Sequence, residues 1–196
     1  MQECICVDSG YSEADQAGYA ETTGGGPDGR TGEAMHFLRT PPPCTPDLLL
    51  FLDVLEHVAD DRALFQDYVS LAKPGAVVLI TVPAFRFLWS HHDVFLGHHR
   101  RYRRAELEHL LATVPGIRLE RAGYLFLGVF PLAAMLRLFG RLRRVLGRTP
   151  PSRSQLRRHS PPINSLLYGI CRAERRLLSM NRFAGLSVVA LARKIG

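Results

Sequence analysis

The chain reads as an α/β domain built on a mostly parallel, doubly wound sheet with helices on both faces. Three observations lead there. Apolar strand-like segments alternate with helical ones along the chain. The run Asp47 to Asp53 is almost continuously apolar, which suits a strand covered on both faces. A Lys73-Pro74-Gly75 stop then separates a helix from a β-branched strand at Ala76 to Val82.

The elements follow in order. ECICVDSGY reads as a strand ending in Asp8, and Ser12 suits the N-cap of a short helix. Residues 22–32 are too rich in glycine for an element. Ala34 to Thr40 suits a short strand, and the prolines at 41–46 an extended connector. After the strand 47–53, Asp60 or Asp61 caps a helix reaching Ala72. The segment 85–104 is a long loop of aromatic, His and Arg residues. A helix at 104–113, a strand at 117–124 and a basic amphipathic helix at 129–148 come next. A polar linker at 150–162, a helix at 163–180 and a closing strand at 186–191 complete the chain. The sheet core is thus expected at 1–125 and 184–194 of one domain, with 126–180 as a helical, basic insertion.

Composition narrows the function classes. With 196 residues, 46% hydrophobic and 22% charged, the chain is long enough to bury a core. The formal net charge is +7. The excess is local, since eight arginines and no Asp or Glu fall between Leu132 and Pro162. Such a block suits an anionic partner, and an anionic membrane surface fits an amphipathic helix best. Nucleic acid is disfavoured for want of any further motif. Cys4, Cys6, Cys44 and Cys171 form no CxxC pair, which suits small buried residues in a reduced compartment. The N-terminus lacks a basic, then apolar, leader pattern, and the apolar stretch Gly123 to Leu136 is too short to span a bilayer. A cytoplasmic location is expected, with peripheral attachment to the inner membrane as its extension. The oligomeric state is not legible.

Four segments in order resemble the class I S-adenosylmethionine (SAM) dependent methyltransferases: VDSGY, DVLEHV, LAKPGAVVLITVPA and HDVFLGHHRRYRRAEL. The resemblance covers about residues 3–125 and the terminal strand, and implies a Rossmann-like sheet that binds SAM. It implies that Asp8 binds the ribose hydroxyls and that Asp53, Val54 and Leu55 line the cofactor pocket. The family also carries a first strand and a Gly-rich turn before the ribose-binding strand. Only two residues precede ECICVDSGY, so the sheet is expected to be N-terminally incomplete. The glycines at 24–29 follow that strand and do not replace the turn. A non-catalytic remnant, or a membrane-peripheral interaction domain, is the alternative this departure keeps open.

Methyl transfer to a hydroxyl or amine needs a base, and neutral imidazole is available near neutral pH. His57 is one candidate, and His98 or His99 with Asp93 is another. Glu56 and His57 have a blander reading, capping the next helix and shaping the pocket. A third reading involves metal. Some methyltransferases resembling this segment use a Glu-x-x-Glu-His set for Mg²⁺, with Asp53 here replacing the first Glu. His91, His92, His98 or His99 would complete such a site, but no resident metal is expected. Glu56, Trp89, His99, Arg100, Arg101 and Tyr102 are candidates to contact a small-molecule acceptor. They lie at the edge of the sheet where open α/β folds bind ligands, and arginine forks suit carboxylate or phosphate.

Overall fold

The computed structural model describes residues 2–7, 33–38, 44–145, 160–174, 176 and 180–196. The expected ribose ligand Asp8, the helix beginning at Ser12, the glycine-rich segment 22–32 and residues 150–159 of the expected linker 150–162 lie outside them. Backbone contacts divide the chain into two units, Met1–Thr45 and Pro46–Gly196. In the first, β1 (Gln2–Val7) and β2 (Glu33–Leu38) pair in parallel, with Gln2 opposite Glu33 and Val7 opposite Leu38.

The second unit contains a four-stranded sheet. Its strands are β3 (Leu48–Leu52), β4 (Val77–Pro83), β5 (Ile117–Leu125) and β6 (Ser187–Lys194), in the spatial order β3-β4-β6-β5. β3 and β4 are parallel, and β6 runs antiparallel to both β4 and β5. Three strands therefore share one direction, and β6 enters between two of them in reverse. The α-helices among the described residues are α1 (Asp61–Leu71), α2 (His91–Phe95), α3 (Arg104–Ala112), α4 (Phe130–Val145) and α5 (Pro161–Glu174). Among the described residues, none is long and apolar enough to cross a membrane.

The register explains the core. Leu49 and Phe51 lie opposite Val78 and Ile80, which in turn lie opposite Ala192 and Ala190. Alternate residues share one sheet face, so these side chains form one apolar surface. Helix α1 covers it with Phe65 and Val69, four residues apart and hence on one helix face. Phe51 meets Phe65 and Tyr68 at ring-centroid distances of 5.3 and 5.8 Å. Helix α3 adds Leu107 and Leu111 over β5 and β6. The continuous apolar run of β3 predicted cover on both faces. Here Leu48, Leu50 and Leu52 on its other face remain about half exposed. At this strand, α1 covers one face only.

Local chemistry sets the boundaries. Asp60 caps α1 by accepting from the Ala63 N–H at 2.9 Å, so capping does not fall to Glu56 or His57. Those two occupy a separate 3-10 turn, Leu55–His57. The predicted loop 85–104 contains a second such turn, Arg86–Leu88, and the short helix α2. Buried Asn181 joins the entry of β6 to β5, donating to Tyr124 O and Ala184 O at 2.9 Å each. Close by, a side chain at Gly185 would collide with Leu125 O, so only glycine fits. Replacing Asp60 by Ala is expected to lower the unfolding free energy by about 1 kcal/mol, measured by urea denaturation.

Candidate functional site

The strands β3, β4 and β5 all end at one edge of the sheet, and the backbone is strained there. The three positive-φ non-glycine residues among the described ones are Asp53, Phe85 and Phe126, at 54°, 55° and 64°. Each falls within two residues of a strand's C-terminal end. Left-handed backbone is costly for a bulky residue and persists only where neighbours over-determine it. At Phe85 they do so. Its ring stacks on Tyr124 with centroids 5.0 Å apart and planes 11° from parallel. Its N–H donates to Tyr102 O at 2.8 Å.

That last bond also returns the loop to the sheet. Tyr102 N–H donates to Pro83 O at 2.9 Å, and Ala84 and Tyr102 form a parallel bridge. Arg100, Arg101 and Tyr102 therefore lie against the end of β4. Tyr102 donates its hydroxyl to Asp61 at 2.7 Å, and Arg100 donates to the same carboxylate oxygen at 3.0 Å. Arg100 also donates to Ala59 O. Burial, then the Asp61 carboxylate, pushes the Tyr102 phenol above its usual range, so it stays a donor.

Asp93 is the centre of the site and is wholly buried. Its Oδ2 accepts from Ser90 N–H at 2.7 Å and from Ser90 Oγ at 2.9 Å, which forms the N-terminal turn of α2. Its Oδ1 accepts from Arg101 Nε at 2.6 Å and lies 3.0 Å from His98 Nδ1. Burial pushes this carboxyl up, but the Arg101 guanidinium and the Ser90 donors outweigh it and hold it down at about 2. Asp93 is therefore an anion near neutral pH and can only accept hydrogen bonds. That requires His98 to carry its proton on Nδ1 and leaves Nε2 free to accept one. Burial lowers the His98 pKa, with the Asp93 bond opposing it only in part, so the ring is neutral near neutral pH.

His98 Nε2 lies 4.0 Å from Glu56 Oε1, too far for a hydrogen bond. Both Glu56 carboxyl oxygens are buried without a hydrogen-bond partner, on a residue 0% exposed. Burial raises its pKa to about 7, with nearby Asp53 and Asp93 adding to the effect. The exposed His57 ring meets His98 edge-on at 4.5 Å. Ligand atoms of Glu56, His57 and His98 all lie within 4.8 Å of one another. Such a group can share a proton or hold a cation. Two imidazoles and one carboxylate suit a transition ion better than Mg²⁺, and the Asp93–His98 bond is the outer contact a metal-binding imidazole usually makes.

The predicted residues thus separate spatially. Glu56, His57, Asp93, His98 and Arg101 come together. Asp53 and Val54 stand exposed at the end of β3, and Leu55 is buried beneath them. Trp89 is half-buried and His99 exposed. His99 contributes its N–H to Glu56 O at 2.7 Å, which ties the loop to the 3-10 turn. Ser90 and Asp61 were not foreseen as site residues. Ser90-x-x-Asp93 is a capping signature that could have exposed the first, whereas Asp61 has no local signal. Arg137 also belongs nearby, donating from α4 to Leu88 O at 2.8 Å.

No family model matches the chain, and no curated protein matches it either. Solved structures do. A Bacillus halodurans C-125 protein described as a methyltransferase aligns at 11% identity and a TM-score of 0.55, covering 100% of this chain and 84% of its own. The cyclase SpnF aligns at 15% identity and 0.51, covering 100% and 75%. An S-adenosylmethionine dependent methyltransferase from Mesorhizobium loti aligns at 13% and 0.50, covering 97% and 79%. The fold is that of the class I SAM-dependent methyltransferases, and at these identities the likeness concerns the fold.

Two expectations follow from the buried acids. Folded Glu56 keeps its proton up to about pH 7, whereas an unfolded glutamate releases it near 4.5. Its contribution to stability is therefore fully present below pH 4.5 and lost as pH rises through about 7. In chelator, Glu56→Gln should flatten the fall in thermal stability over that window. The sign is opposite at Asp93, whose contribution is present above 3.8 and lost as pH falls towards 2. Asp93→Asn, which leaves Arg101 buried beside a neutral amide, is expected to cost about 3 kcal/mol in urea denaturation near neutral pH.

Proposed function

We propose that the chain is a SAM-dependent methyltransferase domain acting on a small-molecule or envelope-lipid acceptor, with His98 taking the acceptor's proton. The observation that carries this reading is the buried Asp93–His98 pair at the ligand edge of a methyltransferase fold, 3.0 Å apart. A neutral imidazole held by an anion, with its second nitrogen free, is the arrangement general-base catalysis needs. His57, the other candidate from the sequence, is exposed and has no carboxylate holding its ring among the described residues.

The cofactor edge fits SAM in one respect visible here. Asp53 offers an exposed carboxylate at the end of β3, an acceptor for the hydroxyl or ammonium groups of such a ligand. Asp53, Val54 and Leu55 would line the cofactor side, with Asp8 at the ribose. SAM, when bound, supplies an electrophilic methyl on a sulfonium. The methyl would pass from that sulfonium to the acceptor, and His98 Nε2 would take the proton the acceptor loses. Asp93 stabilises the imidazolium that forms, and Arg101 keeps Asp93 ionised. Arg100 and Tyr102, bound to Asp61, fix the loop, while Trp89 and His99 meet the acceptor beside Glu56. A cytoplasmic location belongs to the same proposal.

A second reading is a non-catalytic domain that keeps the fold alone. The likeness to SpnF, described as a cyclase, bears on it only in that the fold does not by itself imply methyl transfer. Calorimetric titration of the folded chain with S-adenosylhomocysteine separates the two. Saturable micromolar binding, weakened by Asp53→Ala, is expected; no binding by folded protein would exclude methyl transfer by this chain. His98→Ala should leave that binding within about twofold but lower transfer to any accepted substrate by about 10²- to 10⁴-fold. His57→Ala should have a smaller effect on the rate.

A further inference from the structure

Helix α4 is mounted with its apolar side outward. Phe130 packs against Phe85 and Phe87, with ring centroids 5.7 and 6.3 Å away. Arg137, two turns further on, donates to Leu88 O at 2.8 Å. These contacts define the inner side of the helix, which Ala133 and Ala134 share by spacing. On the opposite side Leu132, Met135 and Leu136 face solvent, the last two 60% and 61% exposed. Surface helices in water turn the apolar stripe inward and the charges outward. Here a guanidinium points in and leucine and methionine point out.

The neighbouring helix adds charge. Glu174 of α5 accepts from Leu127 N–H at 2.7 Å and from Gly128 N–H at 3.3 Å, joining α5 to the turn before α4. On another side of α5, Gly169, Arg172, Ala173 and Arg176 line an open hollow of about 520 Å³. The sequence between Leu132 and Pro162 holds eight arginines and no acid.

We propose that the outward face of α4 docks on the surface of an anionic lipid bilayer. Leu132, Met135 and Leu136 enter the acyl boundary, and the basic sequence of the segment draws it to anionic headgroups. Charge selects this occupant. A second copy of the chain would bring the same basic block against itself, whereas anionic headgroups complement it. The helix lies on the bilayer, since no described helix is long and apolar enough to cross one. Arg137, on the inner side, ties the helix to Leu88, two residues before Ser90, so docking brings the Asp93 site to within about one helix diameter, roughly 10 Å, of the lipid surface. The inference does not rest on methyl transfer.

The test is co-sedimentation of the folded full chain with vesicles of equal parts phosphatidylglycerol and phosphatidylcholine, beside pure phosphatidylcholine vesicles. Binding to the mixed vesicles, weaker on pure phosphatidylcholine and at high salt, is expected. The double variant Met135→Glu with Leu136→Glu should bind the mixed vesicles about tenfold or more weakly, because two buried apolar side chains are lost. Unchanged circular dichroism would show that it still folds. No binding by the parent chain, equal binding by the variant, or a parent dimer that the variant breaks would each overturn the proposal. Titration with S-adenosylhomocysteine without vesicles reads the methyltransferase proposal separately, so either can fail alone.

Discussion

Asp93 carries a negative charge out of contact with water, and the arrangement of this edge of the sheet follows from compensating it. An isolated carboxylate in such a place would be neutralised, since the cost of burying it is large. Three partners prevent that. Ser90 folds over it through the first turn of α2, Arg101 meets it at 2.6 Å, and His98 gives it an Nδ1–H. The last contact sets the His98 tautomer. The second fixes Arg101, whose other bond to Ala84 O holds the returning loop on the end of β4. Glu56 stands on the far side of His98 with the opposite solution, a buried carboxyl near neutrality in place of an ion pair. Two acids separated by one imidazole thus have divergent affinities for a proton, a pattern that accompanies acid–base chemistry.

The strained backbone belongs to the same edge. Asp53, Phe85 and Phe126 take left-handed conformations just after three parallel strand ends. The 3-10 turn carrying Glu56 and His57 follows the first of them, and the bond from His99 N–H to Glu56 O holds that turn against the loop carrying His98. The Phe85–Tyr124 stack and the Tyr102 backbone bonds keep that geometry in place. In the proposed reaction this rigidity matters because a base must hold its nitrogen within hydrogen-bond reach of the proton it takes.

Much of this was legible in the sequence, for identifiable reasons. Apolar periodicity and the stops at Asp53, Lys73-Pro74-Gly75 and Pro83 located β3, α1 and β4 to within a residue or two. The crowding of His57, Asp93, His98 and Arg101 near strand ends marked the edge at which the structure brings them together. Other features depend on tertiary contact. Glu56 and His98 are far apart in sequence, so the unpaired Glu56 carboxyl beside His98 has no local signature, whereas the pairing of Asp93 with His98 or His99 was already expected from their spacing. Arg100 and Arg101 looked like two equivalent forks, yet one meets Asp61 and the other Asp93. The orientation of α4 was also hidden, because an amphipathic pattern tells which residues share a side but not which side faces the protein. The continuous apolar run of β3 suggested cover on both faces, and only the packed structure shows that α1 covers one.

The most direct test of this electrostatic arrangement is nitrogen-15 NMR of the histidine rings across a pH titration, with His98 assigned through His98→Gln. Near neutral pH, His98 should be neutral, protonated on Nδ1, with a pKa below the ordinary 6.5. A His98 that is cationic near neutral pH would have no nitrogen left to accept a proton, and one that carries its proton on Nε2 would contradict an ionised Asp93 accepting from Nδ1; either would remove the basis for assigning it as the base.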